Sequence, residues 1–163
     1  MTSNRLSLNS SKTQLIWLGT SQQLRKLDCS LISDNFPQFV FSTSVRDLGF
    51  ILDNSFTFSE NISSLTRSSY YQLRSLRGIR KSVSTTTMTA IVHEFVCSRI
   101  DYCLSLLIGL PKVRLSTIQS VLNAAARRIA HLPRFNHISF KINQLHWLPL
   151  SARIEFKIAA LQT

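Results

Sequence analysis

The feature that most constrains the fold of this chain is a change in the spacing of its apolar residues near residue 59. Before that point, one short apolar run is continuous and one segment alternates at a period of two, and both patterns suit strands. After it, apolar residues recur at intervals of three and four, which suits amphipathic helices. The chain is therefore predicted to be α+β and mostly α. We expect a short β region over residues 1–58, followed by a bundle of about four helices over residues 59–163.

Two segments carry the strand signal. Residues 12–19 (KTQLIWLG) form a continuous apolar run closed by Gly19, and they predict a buried strand. Residues 45–53 (VRDLGFILD) alternate, with Leu48, Phe50 and Leu52 on one face. They predict one half-buried strand that ends in a turn at Asp53, Asn54 and Ser55.

Four segments carry the helix signal. The first begins at Ser59 and ends at Gly78, and the second is capped at Ser84 or a neighbouring threonine. The second runs to Gly109, the third ends before Pro133, and the last begins near Pro149 or Ser151. The residues predicted to face the core are Ile62, Leu65, Ser69, Leu73 and Leu76; Met88, Ile91, Val92, Phe95, Val96, Ile100, Cys103 and Leu107; Leu115, Ile118, Val121, Leu122, Ala125 and Ile129; and Ile154, Ile158 and Leu161.

The charge of the chain is unevenly distributed. Residues 1–58 hold five basic and four acidic side chains, whereas residues 59–163 hold fourteen and four, so the net charge of +11 divides into +1 and +10. An excess of this size suggests a polyanionic partner for the second part, either nucleic acid or an acidic membrane surface. The most apolar run (IDYCLSLLIGL) is about half of the roughly 20 residues that cross a bilayer. No membrane partner is therefore expected.

The location of the protein is predicted from its N-terminus and its cysteines. Residues 1–11 contain no apolar core of signal-peptide length, and Cys29, Cys97 and Cys103 share no C-x-x-C spacing. An odd number of cysteines without a disulfide framework favours a reducing compartment. The chain is expected to be intracellular, cytoplasmic or nuclear, and not secreted.

A line of basic residues on the first predicted helix is the strongest functional signal. Three of them recur every seven residues and two flank them: Arg67, Arg74 and Lys81, with Arg77 and Arg80 beside them. A cationic stripe about three turns long is suited to contacting phosphates without reading bases. The alternative is an ordinary solvated face. However, such a face normally mixes both signs, and this helix has no acid after Glu60.

The remaining polar residues do not form a catalytic or metal constellation. Asp101 is the only acid in SRIDYCLSLL, and general acid–base or two-metal chemistry needs a second carboxylate. Asp101 is predicted to form a structural ion pair, either with a neighbour of Arg99 or with an arginine of the next helix such as Arg127. The four histidines are widely spread, so no metal site is predicted.

Five blocks of the sequence, in order, resemble the C-terminal part of the reverse transcriptase of LINE-type, non-LTR retrotransposons of animals. The blocks are NRLSLNSSKTQLIWLG, VRDLGFILD, SRIDYCLSLLIGLP, LNAAARRIAHLPRFNHIS and LHWLPLSARIEFK. The resemblance covers nearly the whole chain. It implies that residues 1–58 are the C-terminal remnant of a polymerase palm and that residues 59–163 are a helical thumb-like domain, truncated at its C-terminus.

The resemblance also implies roles for individual residues. LNSSKT is similar to the palm motif whose lysine lies near the phosphates of the incoming nucleotide, which points to Lys12. LGFILD resembles the primer-grip hairpin, which implies that Leu48, Gly49 and Phe50 position the 3′ end of a primer. The thumb-like helices are implied to hold an RNA–DNA hybrid or duplex by its backbone, regardless of sequence.

The chain departs from the family pattern in its catalytic residues. The family's catalytic motif has two adjacent aspartates and precedes the NRLSLN block, but this chain contains no Asp-Asp pair. We therefore expect a fragment of an RNA-directed DNA polymerase, from a truncated or mis-started reading frame, that binds no cofactor itself. Mg²⁺ is implied only for the full-length parent enzyme. The alternatives are a stand-alone basic helical nucleic-acid-binding module and a protein-binding helical scaffold.

The missing carboxylate pair generates a first prediction. The purified chain should not extend a primer on an RNA template with either Mg²⁺ or Mn²⁺, because two-metal phosphoryl transfer needs carboxylates to hold the ions. Incorporation is measured on a primed RNA template, with an active reverse transcriptase as the positive control. Template-dependent incorporation above the level without protein would contradict this prediction.

Overall fold

The computed structural model describes residue 9 and residues 12–26, 40–133 and 135–162. The chain divides into two compact units, Met1–Glu60 and Asn61–Thr163. The described part of the first unit carries short strands and one helical turn, whereas that of the second is helical. The mostly α, α+β fold class predicted from the sequence is confirmed.

The first unit contains a minimal parallel strand pair. Strand β1 (Gln14–Leu15) pairs with β2 (Val40–Phe41), and the rings of Trp17 and Phe41 stack with centroids 6.1 Å apart. Between these strands lies helix α1 (Ser21–Leu24), whose N-cap is Thr20. The prediction of a buried strand over residues 12–19 is wrong, because only two of these residues pair and none is buried.

The alternating segment forms a tight hairpin rather than one strand. Strands β3 (Ser44–Asp47) and β4 (Phe50–Asp53) are antiparallel, with Asp47 opposite Phe50. The connecting residues Leu48 and Gly49 both have positive φ, 46° and 89°, as a type I′ turn requires. Leu48 is 86 % exposed at the tip, whereas Phe50 is buried. The alternation in the sequence therefore does not describe one face, because the chain reverses in its middle.

The carboxylate of Asp53 organises the turn that follows the hairpin. It accepts hydrogen bonds from three backbone N–H groups, those of Ser55, Thr57 and Phe58. Phe56 and Phe58 both have positive φ, a conformation unfavourable for bulky residues. The three charge-assisted hydrogen bonds offset that strain and fix the start of the following helix.

The second unit is built from helices of unequal length. Its elements are α2 (Ser59–Ile79), which begins in the first unit, α3 (Thr85–Val92), a π-helical turn (His93–Cys97), α4 (Ser98–Asp101), a 3₁₀ helix (Leu104–Leu107), α5 (Lys112–Ala130), α6 (Ser139–Gln144) and α7 (Leu150–Leu161). Helix α5 contacts α3, α6 and α7, so it is central to the packing. Its buried residues are Ile118, Val121, Leu122, Ala125, Ala126 and Ile129.

The second predicted helix is interrupted twice. Its fully buried residues Met88, Val92, Val96 and Ile100 are four apart, and in an α-helix each such step rotates by about 40°. The wider π-helical turn corrects this drift and keeps them on one face. Phe95, predicted to face the core, is instead 46 % exposed. The α-helical path then ends at Asp101, before Gly109, because Tyr102 is extended and Cys103 has positive φ.

Helix α5 follows its sequence prediction more closely. It ends at Ala130, and His131 takes the left-handed conformation with φ 56°. The N–H groups of His131 and Leu132 both donate to the Arg127 carbonyl, and Pro133 follows. This is a C-terminal cap of the left-handed type. Helix α6 was not predicted, because its six residues include no buried side chain to set a period.

The hairpin turn generates a second prediction, in which two substitutions change the free energy of unfolding in opposite directions. Leu48→Asn should stabilise the first unit by about 0.5–1 kcal/mol, because asparagine tolerates positive φ better than leucine does. Gly49→Ala should destabilise it by about 1 kcal/mol, because alanine at φ 89° is strained. Urea unfolding followed by Trp17 fluorescence, in a Trp147→Phe background, measures both. If both substitutions changed the free energy of unfolding in the same direction, the turn would not be of type I′.

Candidate nucleic-acid interface

A cleft of about 1100 Å³ lies in the second unit between helices α2 and α5. Helix α2 lines it with Tyr70, Arg74 and Arg77, which lie on one helical face because they are four and three residues apart. Helix α5 contributes Asn123, Arg127 and Arg128, with His131 just beyond its end; Arg80 follows α2. None of the described residues that line this arginine cleft is acidic.

Arg80 has a structural role in this cleft. Its side chain is 6 % exposed, and it donates four hydrogen bonds to protein oxygens. The acceptors are the carbonyls of Ile129 (2.8 Å), Arg128 (3.2 Å) and Val83 (3.3 Å) and the hydroxyl of Thr85 (3.3 Å). Two of these carbonyls lie at the C-terminus of α5, where the helix dipole favours a cation. The nucleic-acid contact predicted for Arg80 stays a prediction, although its side chain is buried and its donors already bond to protein oxygens.

The three residues of the predicted stripe with seven-residue spacing do not all lie on one surface of the cleft. Arg67, Arg74 and Lys81 are all exposed, but only Arg74 lines the cleft. Lys81 lies beyond the end of α2 at Ile79, so the helical spacing does not extend to it. Arg67 lies about 10 Å before Arg74 along the helix. Arg77, predicted as a flanking residue, lines the cleft beside Arg74.

Part of the cleft was missed because it comes from a second helix. Arg127 and Arg128 lie in the last turn of α5, and the spacing of basic residues within α2 does not show which residues of another helix lie opposite it. An available signal was the adjacent Arg-Arg pair in the last turn of a helix whose apolar face is otherwise complete. Arg127 also donates from Nε to the Asn136 carbonyl at 3.3 Å.

Arg128 lies in an unusual electrostatic environment. Burial lowers the pKa of its guanidinium, and the positive charge of nearby Arg77 lowers it further. Its Nε atom is buried and has no hydrogen-bond partner among the described residues. Two like charges that line one cleft repel each other, so the arrangement favours an anion between Arg77 and Arg128.

Asp101 forms its ion pair with a different arginine from the one predicted. Nη1 of Arg153 in α7 donates to both carboxylate oxygens of Asp101, at 2.8 and 3.0 Å. The side chains are 12 % and 24 % exposed, so the pair is largely shielded from water. Arg153 also donates to the Leu148 carbonyl and lies over the Trp147 ring. The predicted pairing of Asp101 with Arg127 is therefore wrong. The order of helices in the chain does not reveal which helix packs beside Asp101.

The Asp101–Arg153 pair lies beside a buried thiol. Burial raises the pKa of Cys97 to about 11, and the charge of Arg153 opposes part of that rise. The thiol is therefore protonated at neutral pH, and a protonated thiol is a poor nucleophile. Cys97 belongs to the packing around the ion pair.

The residues assigned by family resemblance lie in the first unit. Lys12 is exposed, and its backbone N–H donates to the Asn9 carbonyl at 3.1 Å. Leu48 and Gly49 form the tip of the hairpin, and Phe50 lies buried at the start of β4. Within the described ranges, no cluster of three His, Cys, Asp or Glu side chains is arranged to hold a metal ion. No helix in that part of the chain has the length and hydrophobicity to span a membrane.

Comparison of the chain with protein-family models, with curated proteins and with solved structures finds no match. The resemblance to reverse transcriptases therefore remains a prediction from the sequence. The functional assignment has to rest on the geometry and charge of the arginine cleft.

The revised ion pair generates a third prediction. Arg153→Gln should destabilise the second unit by about 2 kcal/mol, because it leaves a shielded carboxylate without its partner. Arg127→Gln, which removes one exposed hydrogen bond, should cost less than about 1 kcal/mol. Thermal unfolding followed by circular dichroism measures both, and Asp101→Asn with the double variant completes a mutant cycle. A larger effect at Arg127 than at Arg153 would contradict the observed pairing.

Proposed function

We propose that the second unit binds the phosphate backbone of a nucleic-acid duplex through the arginine cleft, as a thumb-derived fragment of an RNA-directed DNA polymerase. The observation that carries the proposal is a concave surface on which two helices place Arg74, Arg77, Arg127 and Arg128 together without a lining acid. Arginine is suited to this role because its planar guanidinium can donate two hydrogen bonds to one phosphate.

The proposed mode of binding is insensitive to sequence. The charged groups of the cleft suit phosphate oxygens, and contacts to phosphates fix orientation without reading bases. The excess of +10 over residues 59–163 would speed encounter with a polyanion and raise its local concentration. In this proposal the chain holds an RNA–DNA hybrid or duplex and performs no chemistry on it.

A protein-binding scaffold is the second candidate, and exposed apolar side chains favour it. Phe140, Phe156 and Leu161 of helices α6 and α7 are 71 %, 63 % and 75 % exposed. Aromatic side chains such as phenylalanine are enriched at protein interfaces. The two candidates differ in their response to salt, since apolar contacts weaken little as ionic strength rises.

The fourth prediction compares two double variants of equal charge. Arg74→Gln/Arg77→Gln removes two cations from the cleft, whereas Arg67→Gln/Lys81→Gln removes two exposed cations outside it. Affinity for an RNA–DNA hybrid is measured across a salt series, and log affinity is plotted against log salt. The slope should flatten by about 1.8 in the cleft variant, because each phosphate contact contributes roughly 0.9 on B-form DNA.

The control variant should leave the slope nearly unchanged. Glutamine is a good helix former, so α2 should persist in both proteins, and circular dichroism verifies this. Equal flattening in both variants would mean that net charge alone drives binding. An absence of salt-dependent binding in the wild type would overturn the proposed function and favour the scaffold.

A further inference from the structure

Three arginines near the C-terminal ends of α2 and α5 line the same cleft: Arg77, Arg80 and Arg128. Arg80 reaches across to the backbone of Arg128, with Nε 3.2 Å from its carbonyl oxygen. Arg77 lies one turn before Arg80 on the α2 side, and its charge acts on Arg128. We name Arg77, Arg80 and Arg128 the arginine triad.

The three members of the triad are not equivalent. Arg80 is buried, and its nitrogens already donate to protein oxygens, so it contributes a fixed charge rather than a ligand contact. Arg77 is exposed and Arg128 is half-buried, so both can donate to a bound group. A buried cation that faces neutral oxygens adds positive potential to the cleft, because the low local dielectric screens it weakly.

The uncompensated charge of the triad indicates the ligand. No acidic residue among the described lining residues balances it, and Arg128 is only half-buried. A group with two negative charges and several acceptor oxygens complements two donating guanidiniums better than a group with one. A phosphate monoester carries about −1.5 to −2 at neutral pH. The phosphodiester of an internal nucleotide carries one negative charge.

We propose that the arginine triad is a binding site for a phosphate dianion, which on a nucleic acid is the terminal phosphate of a strand. Arg77 and Arg128 hold the phosphate oxygens, and Arg80 fixes the end of α5 while supplying the third charge. The proposal rests on the proposed function for the identity of the strand, but the dianion site itself does not. The cleft therefore binds a strand end with a 5′-phosphate in preference to one with a 5′-hydroxyl.

The test compares two RNA–DNA hybrids of one sequence, with and without a 5′-phosphate, at a single salt concentration. The wild type should bind the phosphorylated hybrid about tenfold more tightly, which corresponds to about 1.4 kcal/mol. Arg128→Gln and Arg77→Gln should each reduce this ratio to about one. Arg67→Gln, which removes an exposed arginine of the same helix outside the cleft, should leave the ratio unchanged. Arg77→Gln serves as the second variant should Arg128→Gln fail to fold.

A second measurement uses inorganic phosphate alone. Phosphate should raise the thermal unfolding midpoint of the wild type relative to chloride at equal ionic strength, and it should not do so in Arg128→Gln. A hybrid ratio near one with intact salt-dependent binding would overturn the dianion site and leave the proposed function standing. If neither hybrid binds, the proposed function fails. The phosphate-dependent shift then decides the site by itself: its presence supports the site, and its absence overturns it.

Discussion

The architecture of the cleft depends on the hydrogen bonds that the buried guanidinium of Arg80 donates to the carbonyls at the end of α5. This guanidinium joins the segment after α2 to the last carbonyls of α5, so the C-terminal ends of the two helices are held together. Removing a full charge from water is expensive unless its donors are satisfied. Here four protein oxygens and the negative end of the α5 dipole offset that cost. The surfaces of α2 and α5 beyond this junction form the walls of the cleft.

A second arginine, Arg153, has a comparable role between α7 and α4. Arg153 ties α7 to the end of α4 through Asp101, and Trp147 covers its guanidinium. The pair is largely shielded from water, so a carboxylate without a partner there would be strongly unfavourable. Two of the basic residues of the second unit therefore stabilise the packing of helices. The exposed and half-buried arginines of the cleft, by contrast, have donors available to a ligand, which is why the functional proposals rest on them.

The core and the cleft are linked through α5. One face of this helix buries Ile118, Val121, Leu122, Ala125 and Ile129, and the adjacent face presents Asn123 and Arg127 to the cleft. Packing of the core thus fixes the rotation of α5 and with it the direction of its arginines. A phosphate-binding surface benefits from such rigid support, since little conformational entropy is lost when the ligand binds.

The sequence by itself determined the class of the fold, the bounds of the long helices and the positive character of the second unit. These properties follow from local periodicity, caps and composition: the buried face of α2 was readable from residue spacing, and the end of α5 before Pro133 was readable from the proline. Only the tertiary structure decided that Asp101 pairs with Arg153 and that Arg80 is buried, because both depend on which helices become neighbours. The reversal of the chain at Leu48 and the π-helical turn at His93 could not be predicted from the sequence for a related reason. A change of backbone dihedral alters which side chains share a face, while the order of apolar and polar residues in the chain stays the same.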